Sequence, residues 1–220
     1  MTLKNILHAE CDDLAMSPDS PEIIIAAGKI RNTATSPYYL GIHLSKDGGS
    51  HWQKIKISNT EEFVGCVAAV VPGSEKTFIV GAEGIGKDKI YKSLDEGLTW
   101  SEITGSVKGA PTCIAIDPND ARRMYFGTTR GLWRSSSGGQ AWEKVGGFAS
   151  VSGLAYNPAD SKEIYLGNSA GVFYSMDRGL SWKNISNGMV IKNTLQIAVD
   201  PSGKKVFAGT EGCGIWKREN

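Results

Sequence analysis

An all-β fold of short antiparallel strands in five repeated units is what this sequence predicts, and three recurring columns predict it. The first column is an eight-residue box: Ser45-Lys-Asp-Gly-Gly-Ser-His-Trp52, Ser93-Leu-Asp-Glu-Gly-Leu-Thr-Trp100, Ser135-Ser-Ser-Gly-Gly-Gln-Ala-Trp142 and Ser175-Met-Asp-Arg-Gly-Leu-Ser-Trp182. The second is a set of short apolar runs that end in Pro18, Pro72, Pro118, Pro158 and Pro201. The third is Gly28, Gly81, Gly127, Gly167 and Gly209, each closing a run such as Met124-Tyr-Phe-Gly127. Between these markers lie segments of a few residues rich in Val, Ile, Phe, Tyr and Trp, bounded by Gly, Pro, Asn and Asp, which is strand chemistry. No long stretch carries helical periodicity.

Each unit reads as four strands. Strand A ends at the Pro, strand B at the Gly, strand C runs into the box Ser, and strand D starts at the box Trp. A unit of about 40 residues holding four strands is the signature of a β-propeller blade. The chain is therefore predicted to be a five-bladed β-propeller of four-stranded antiparallel blades, a single domain over residues 1–220. Its blades are expected at about 8–57, 58–105, 106–147, 148–187 and 188–220 plus 1–7.

Ring closure follows from the last unit, which has strands A, B and C and stops at Asn220 without a box. Leu3-Lys-Asn-Ile6 matches Trp182-Lys-Asn-Ile185 in all but its first residue. The N-terminal segment is thus expected to supply the fourth strand of the last blade, which would remove the open edges that invite aggregation.

Composition narrows the function classes. The chain has 220 residues, 40% hydrophobic, enough to bury a sizeable core. Its 24 basic and 23 acidic residues leave a net charge of +1 with no basic stripe, so a nucleic-acid partner is not expected. The longest apolar run, Phe63–Val71, is too short for a membrane span, and the first residues lack the apolar core of a signal peptide. The expectation is a cytoplasmic monomer without a membrane partner. Cys11, Cys66, Cys113 and Cys213 show no metal-type spacing and read as reduced, small hydrophobes. Cys11, Cys66 and Cys113 fall near the start of strand A in three successive units, where small residues suit a crowded axis better than a metal site does. No cofactor is expected.

The box Ser-x-Asp-x-Gly-x-x-Trp resembles the Asp-box, or BNR repeat, of sialidases, xyloglucan-active propeller hydrolases, sortilin-type receptor propellers and photosystem assembly factors. The motif is structural in its physics. An Asp at a turn accepts backbone N–H groups a few residues on, the glycines tolerate positive φ, and the tryptophans fill space between sheets. The third box departs with Ser137 in the Asp position, so its turn is expected to be looser. One Asp per turn is neither a metal cage nor an acid–base pair.

The resemblance implies boxes on the C–D turns and ligands at the opposite mouth, formed by B–C and D–A loops. The interval from the strand B glycine to the box serine is 17 residues in the first unit, 12 in the second and 8 in the third and fourth. Length beyond what the fold needs points to function. The binding candidates on these loops are Arg31, Tyr38, Tyr39, Glu83, Lys87, Asp88, Arg130 and Glu211. Asp12, Glu61, Glu62, Phe148 and Lys192 fall on the D–A connections. Glu83-Gly-Ile-Gly-Lys87 is not a phosphate loop, since no helix follows it. His43 shares the column of Tyr91, Trp133, Phe173 and Trp216 and is expected to be packed. A sialidase needs a cluster of arginines, whereas the mouth loops offer mainly Arg31 and Arg130; no Phe-Arg-Ile-Pro-like segment precedes the first box, and no catalytic residue is assigned. The expected function is a non-catalytic binding or assembly module that presents the B–C/D–A face to a protein or glycan. The alternative is a glycoside hydrolase of the Asp-box type, which needs two carboxyl groups facing one sugar.

Overall fold

The computed structural model describes residues 9–30, 38–58, 63–84 and 87–219. The segment Leu3–Ile6, on which the closure expectation rests, lies outside the described residues, as do Arg31, Glu61 and Glu62. Among the described residues there is no helix, and every sheet is antiparallel. The chain divides into two compact units, residues 1–104 and 105–220.

The first unit holds two four-stranded sheets. One is built from β1 (Ala9–Met16), β2 (Ile24–Ile30), β3 (Tyr39–Ser45) and β4 (Gln53–Ser58) in chain order. The other is built from β5 (Phe63–Val70), β6 (Phe78–Gly84), β7 (Lys89–Ser93) and β8 (Ser101–Glu102). The middle strands are buried on both faces, so they read as continuous apolar runs. Ile25, Ala27, Ile42, Leu44, Phe78 and Val80 form one core shared by the two sheets. Trp100 packs against that core, and the turn before it brings Gly97 against Ile55 of the neighbouring sheet.

The second unit has two four-stranded sheets and one of three strands. The first comprises β9 (Pro111–Ile116), β10 (Met124–Thr128), β11 (Gly131–Ser135) and β12 (Glu143–Val145). The next comprises β13 (Gly153–Tyr156), β14 (Ile164–Asn168), β15 (Gly171–Ser175) and β16 (Lys183–Asn184). The last is β17 (Thr194–Val199), β18 (Lys205–Thr210) and β19 (Gly214–Glu219), with no strand on the outer edge of β19 among the described residues. Tyr125 and Tyr165 are wholly buried between sheets. Trp182 meets Tyr125 edge-on at 6.4 Å and Phe148 at 5.7 Å.

The predicted columns hold, with one change. β1, β5, β9, β13 and β17 each end two residues before their Pro, and β3, β7, β11 and β15 each end on the box Ser. The glycine column does not close the second strand of each sheet. β2, β6, β10, β14 and β18 all run past it. Its glycines mark close approach instead: a Cβ on Gly127 would lie 2.3 Å from Cys113 Sγ, and one on Gly28 would lie 1.9 Å from Glu10 O.

The box turns explain their own sequence. Ser45 Oγ donates to Asp47 Oδ1 at 2.9 Å and accepts the N–H of Gly49 at 2.8 Å. Asp47 Oδ1 accepts the N–H of His51 at 2.8 Å, and Trp52 Nε1 donates to Gly49 O at 2.9 Å. The same bonds recur around Asp95 and Asp177. At Ser137 the hydroxyl replaces the carboxylate: it accepts the N–H of Ala141 at 2.9 Å, and Gly139 N–H reaches Ser135 Oγ at 3.0 Å. The fourth residue of each box also donates its N–H to the turn between the first two strands of its own sheet. Examples are Glu96 to Lys76 O and Arg178 to Lys162 O. Box turns and first hairpin turns therefore share one end of each four-stranded sheet, and the loop between its second and third strands lies at the other.

Candidate functional site

The loop end is assembled from tight and open connections. In the second unit the β10–β11 link is a two-residue turn, Thr129-Arg130, closed by the Thr128–Gly131 pair. Buried Thr128 accepts the N–H of Arg130 at 3.1 Å and donates to Lys108 O at 2.9 Å. Gly109 packs so closely on Arg130 that a Cβ there would sit 2.9 Å from the arginine Cβ. The Arg130 backbone is therefore fixed while its side chain is exposed. Glu211, in the β18–β19 turn, is exposed and accepts a hydrogen bond from Asn193 Nδ2.

In the first unit Tyr39 opens β3 paired with Ile30 and is 9% exposed. Lys56 Nζ sits 5.0 Å above its ring, and burial raises its phenol pKa. Tyr39 is thus part of the packing, while Tyr38 beside it is half-buried. Glu83 lies on β6 opposite Gly65 and is half-buried; Lys87 is exposed and Asp88 half-buried before β7. The neighbouring Lys89 pairs with Glu102 at 2.9 Å. The five described candidates Tyr38, Tyr39, Glu83, Lys87 and Asp88 fall in the first unit, and Arg130 and Glu211 in the second. Each but Glu211 lies at the end of its own sheet opposite the box turn, and Glu211 sits in the β18–β19 turn of the sheet that has no box.

The structure adds a feature not read from the sequence. Four first strands carry a β-bulge at this same end, with the extra residues Asp12, Val64, Thr112 and Leu195. Bulges re-aim side chains and are common at rims. Here Val64 and Leu195 are 56% and 51% exposed, and Asp12 is exposed as well. The bulge region also ties adjacent sheets within each unit. Asp13 Oδ2 accepts the N–H of Ala68 at 2.8 Å, Thr112 Oγ1 donates to Val151 O, and Ser152 Oγ donates to Thr194 O.

The electrostatics centre on Cys11, Asp12, Asp13 and Cys66. Burial raises the Asp12 carboxyl above its ordinary range, opposed by the Cys66 thiol, whose Sγ donates to Oδ2 at 3.6 Å. Burial also raises Asp13, opposed by the N–H groups of Ala68 and Leu14. Burial raises both thiols, reinforced by Asp12, so Cys66 and Cys11 stay protonated and are poor nucleophiles. None of the four cysteines forms a disulfide among the described residues. Among the described residues no three His, Cys, Asp or Glu side chains are placed to hold a metal ion.

No protein-family model matches the sequence. A xyloglucanase of Acetivibrio thermocellus is 38% identical over 77 residues, which is 30% of this chain and 9% of the enzyme. The vacuolar protein sorting/targeting protein 10 of Mycosarcoma maydis is 35% identical over 57 residues, 25% of this chain and 4% of that protein. The matched segments thus span less than a tenth of the length of these curated relatives. Among solved structures, an ancestral GH74 enzyme superposes with a TM-score of 0.70 at 19% identity, covering 91% of this chain and 27% of the enzyme. Sqt1 of Chaetomium thermophilum, bound to the N-terminus of ribosomal protein L10, gives 0.63 at 14% identity over 97% of this chain and 72% of that one. YCF48 bound to D1 peptide gives 0.54 at 13% identity over 99% and 79%. All three are β-propellers, and the likeness supports that fold for this chain.

Proposed function

We propose that this chain is a non-catalytic binding module that receives a protein partner through loops of its sheets, with Tyr38, Lys87 and Asp88 as contact residues in the first unit and Arg130 and Glu211 in the second. On this reading the box turns are Asp boxes, and residues 3–6 add a fourth strand to β19, giving five four-stranded blades. The observation that carries the reading is the state of Asp13. Of the acids at the loop ends of the sheets, Asp12 and Asp13 have carboxyls raised by burial, as a general acid requires. Yet both oxygens of Asp13 accept backbone N–H groups, Oδ1 from Leu14 at 2.9 Å and Oδ2 from Ala68 at 2.8 Å. It serves as a strut between β1 and β5. Sqt1 and YCF48, which share the fold, are seen with a ribosomal protein terminus and a peptide.

The test is capture by the immobilised full chain, comparing wild type with Tyr38→Ala and Arg130→Glu. Both positions lie outside the buried core, so thermal unfolding should be unchanged while a specifically retained protein is lost. Retention by both variants equal to wild type would remove these loops from the account. A second reading, glycoside hydrolysis, is favoured by the xyloglucanase matches alone. It would need Asp12 and a second carboxyl to face one sugar.

A further inference from the structure

The second unit contains a cavity of about 260 Å³ at the box end of its sheets, away from every loop residue considered above. Arg123, Arg134 and Arg178 line it together with Tyr125, Tyr156 and Leu180. They come from separate elements: the turn before β10, the middle of β11, and the β15–β16 box turn.

Two of the guanidinium groups are held in place by carboxylates. Arg123 Nε donates to wholly buried Asp117 at 3.0 Å, and its terminal nitrogen lies 3.2 Å from Asp120. Arg134 grips Glu143 through Nε and a terminal nitrogen, at 2.9 and 2.7 Å. A guanidinium carries five N–H donors in a fixed fork, and these two spend theirs largely on carboxylates, so they shape the wall of the cavity. The third, Arg178, makes no ion pair or side-chain hydrogen bond among the described residues. Its backbone is fixed instead: Tyr125 Oη donates to Arg178 O at 2.6 Å, at a residue with φ of 57°. Tyr156 Oη has no hydrogen-bond partner among the described residues. Burial holds the Tyr156 phenol well above its ordinary pKa, so it remains a donor.

Arg123 and Arg134 are offset by Asp117, Asp120 and Glu143, so Arg178 is the cation left to meet an anion. The nearby Asp177 carboxylate is engaged by the Ser175 and Ser181 hydroxyls. The box turn beside it is the one that lacks the Asp, having Ser137 instead. Tyr125, Tyr156 and Leu180 give it an apolar side, and its volume, just under the usual range of ligand sites, suits only a small molecule.

We propose that this cavity binds a small organic carboxylate with a flat apolar body, the carboxylate meeting Arg178 and Tyr156 and the body lying against Tyr125 and Leu180. Inorganic phosphate has the charge without the body and should bind more weakly.

Calorimetric titration of the full chain with benzoate, benzamide and inorganic phosphate tests this. Benzoate should bind, and benzamide and phosphate should each bind at least tenfold more weakly. Arg178→Gln and Tyr156→Phe should each weaken benzoate by roughly tenfold, the effect of losing one hydrogen bond to a charged group. Neither should shift the unfolding temperature, which separates a lost contact from a lost fold. The proposal is overturned if benzoate gives no binding heat, if benzamide or phosphate binds as well as benzoate, or if Arg178→Gln binds benzoate like wild type.

Discussion

The N–H of Ile185 donates to Val172 O at 2.9 Å, and the contact leaves Val172 wholly buried and Ile185 only 5% exposed. The same bond joins Ile103 to Ile90 at 2.8 Å. In each four-stranded sheet the last strand covers an apolar residue of the strand before it: Ile42, Ile90, Leu132 and Val172 are all at most 1% exposed. Their counterpart on β19, Ile215, is 75% exposed among the described residues.

That contrast yields a prediction for the last sheet. If residues 3–6 cover β19 as proposed, Ile215→Ala should behave as a core substitution and cost about 2–5 kcal/mol. An Ile left in solvent would change stability by less than about 0.5 kcal/mol. Chemical denaturation of the two proteins distinguishes these outcomes, and deletion of residues 2–7 should reproduce the larger loss.

The third box turn should be improvable. Ser137→Asp puts a carboxylate where the Ser137 hydroxyl already accepts the N–H of Ala141, a charge-assisted bond in place of a neutral one, so thermal unfolding should shift upward, by roughly 0.5 kcal/mol, with no counterpart of the Ser181 hydroxyl bond that Asp177 also takes. Acid should erase the gain. Hydrogen bonds from Ser181 hold Asp177 at about 2, and those from His51 hold Asp47 at about 2. A carboxyl depressed on folding stabilises fully above its ordinary value of 3.8 and loses that contribution as pH falls toward 2. The stability difference between variant and wild type should therefore shrink over that interval.

His43 is 3% exposed, and its Nε2 has no hydrogen-bond partner. Burial, with Lys54 nearby, lowers its pKa to about 4 from an ordinary 6.5. Since the folded state disfavours the proton, stability is full above pH 6.5 and falls as pH drops toward 4, by about 3 kcal/mol in all. His43→Phe removes an unsatisfied polar atom and places the residue type that Phe173 supplies in the same column. It should raise stability at pH 7 by about 1–3 kcal/mol and flatten the profile between pH 6.5 and 4. Denaturation curves at three pH values would read both effects.

The repeat was legible because its markers sit where backbone geometry demands particular residues. Pro18, Pro72, Pro118, Pro158 and Pro201 end first strands because proline cannot continue a ladder. Ser45 and its equivalents end third strands because the hydroxyl folds into the turn. The bulges at Asp12, Val64, Thr112 and Leu195 escaped notice because one extra residue in a short strand only slips the alternation. Tyr39 has the sequence setting of a loop residue, yet the β2–β3 ladder extends far enough to pack it. The arginine cavity was invisible for a different reason. Arg123, Arg134 and Arg178 lie in different turns and strands, and only sheet packing within the second unit brings them to one cavity.

The central claim, binding without catalysis, is most directly tested by incubating the purified full chain with xyloglucan and measuring newly formed reducing ends. The account predicts no release above the protein-free blank at any pH between 4 and 8. Release that is abolished by Asp12→Asn or Asp13→Asn, with the fold retained, would contradict it.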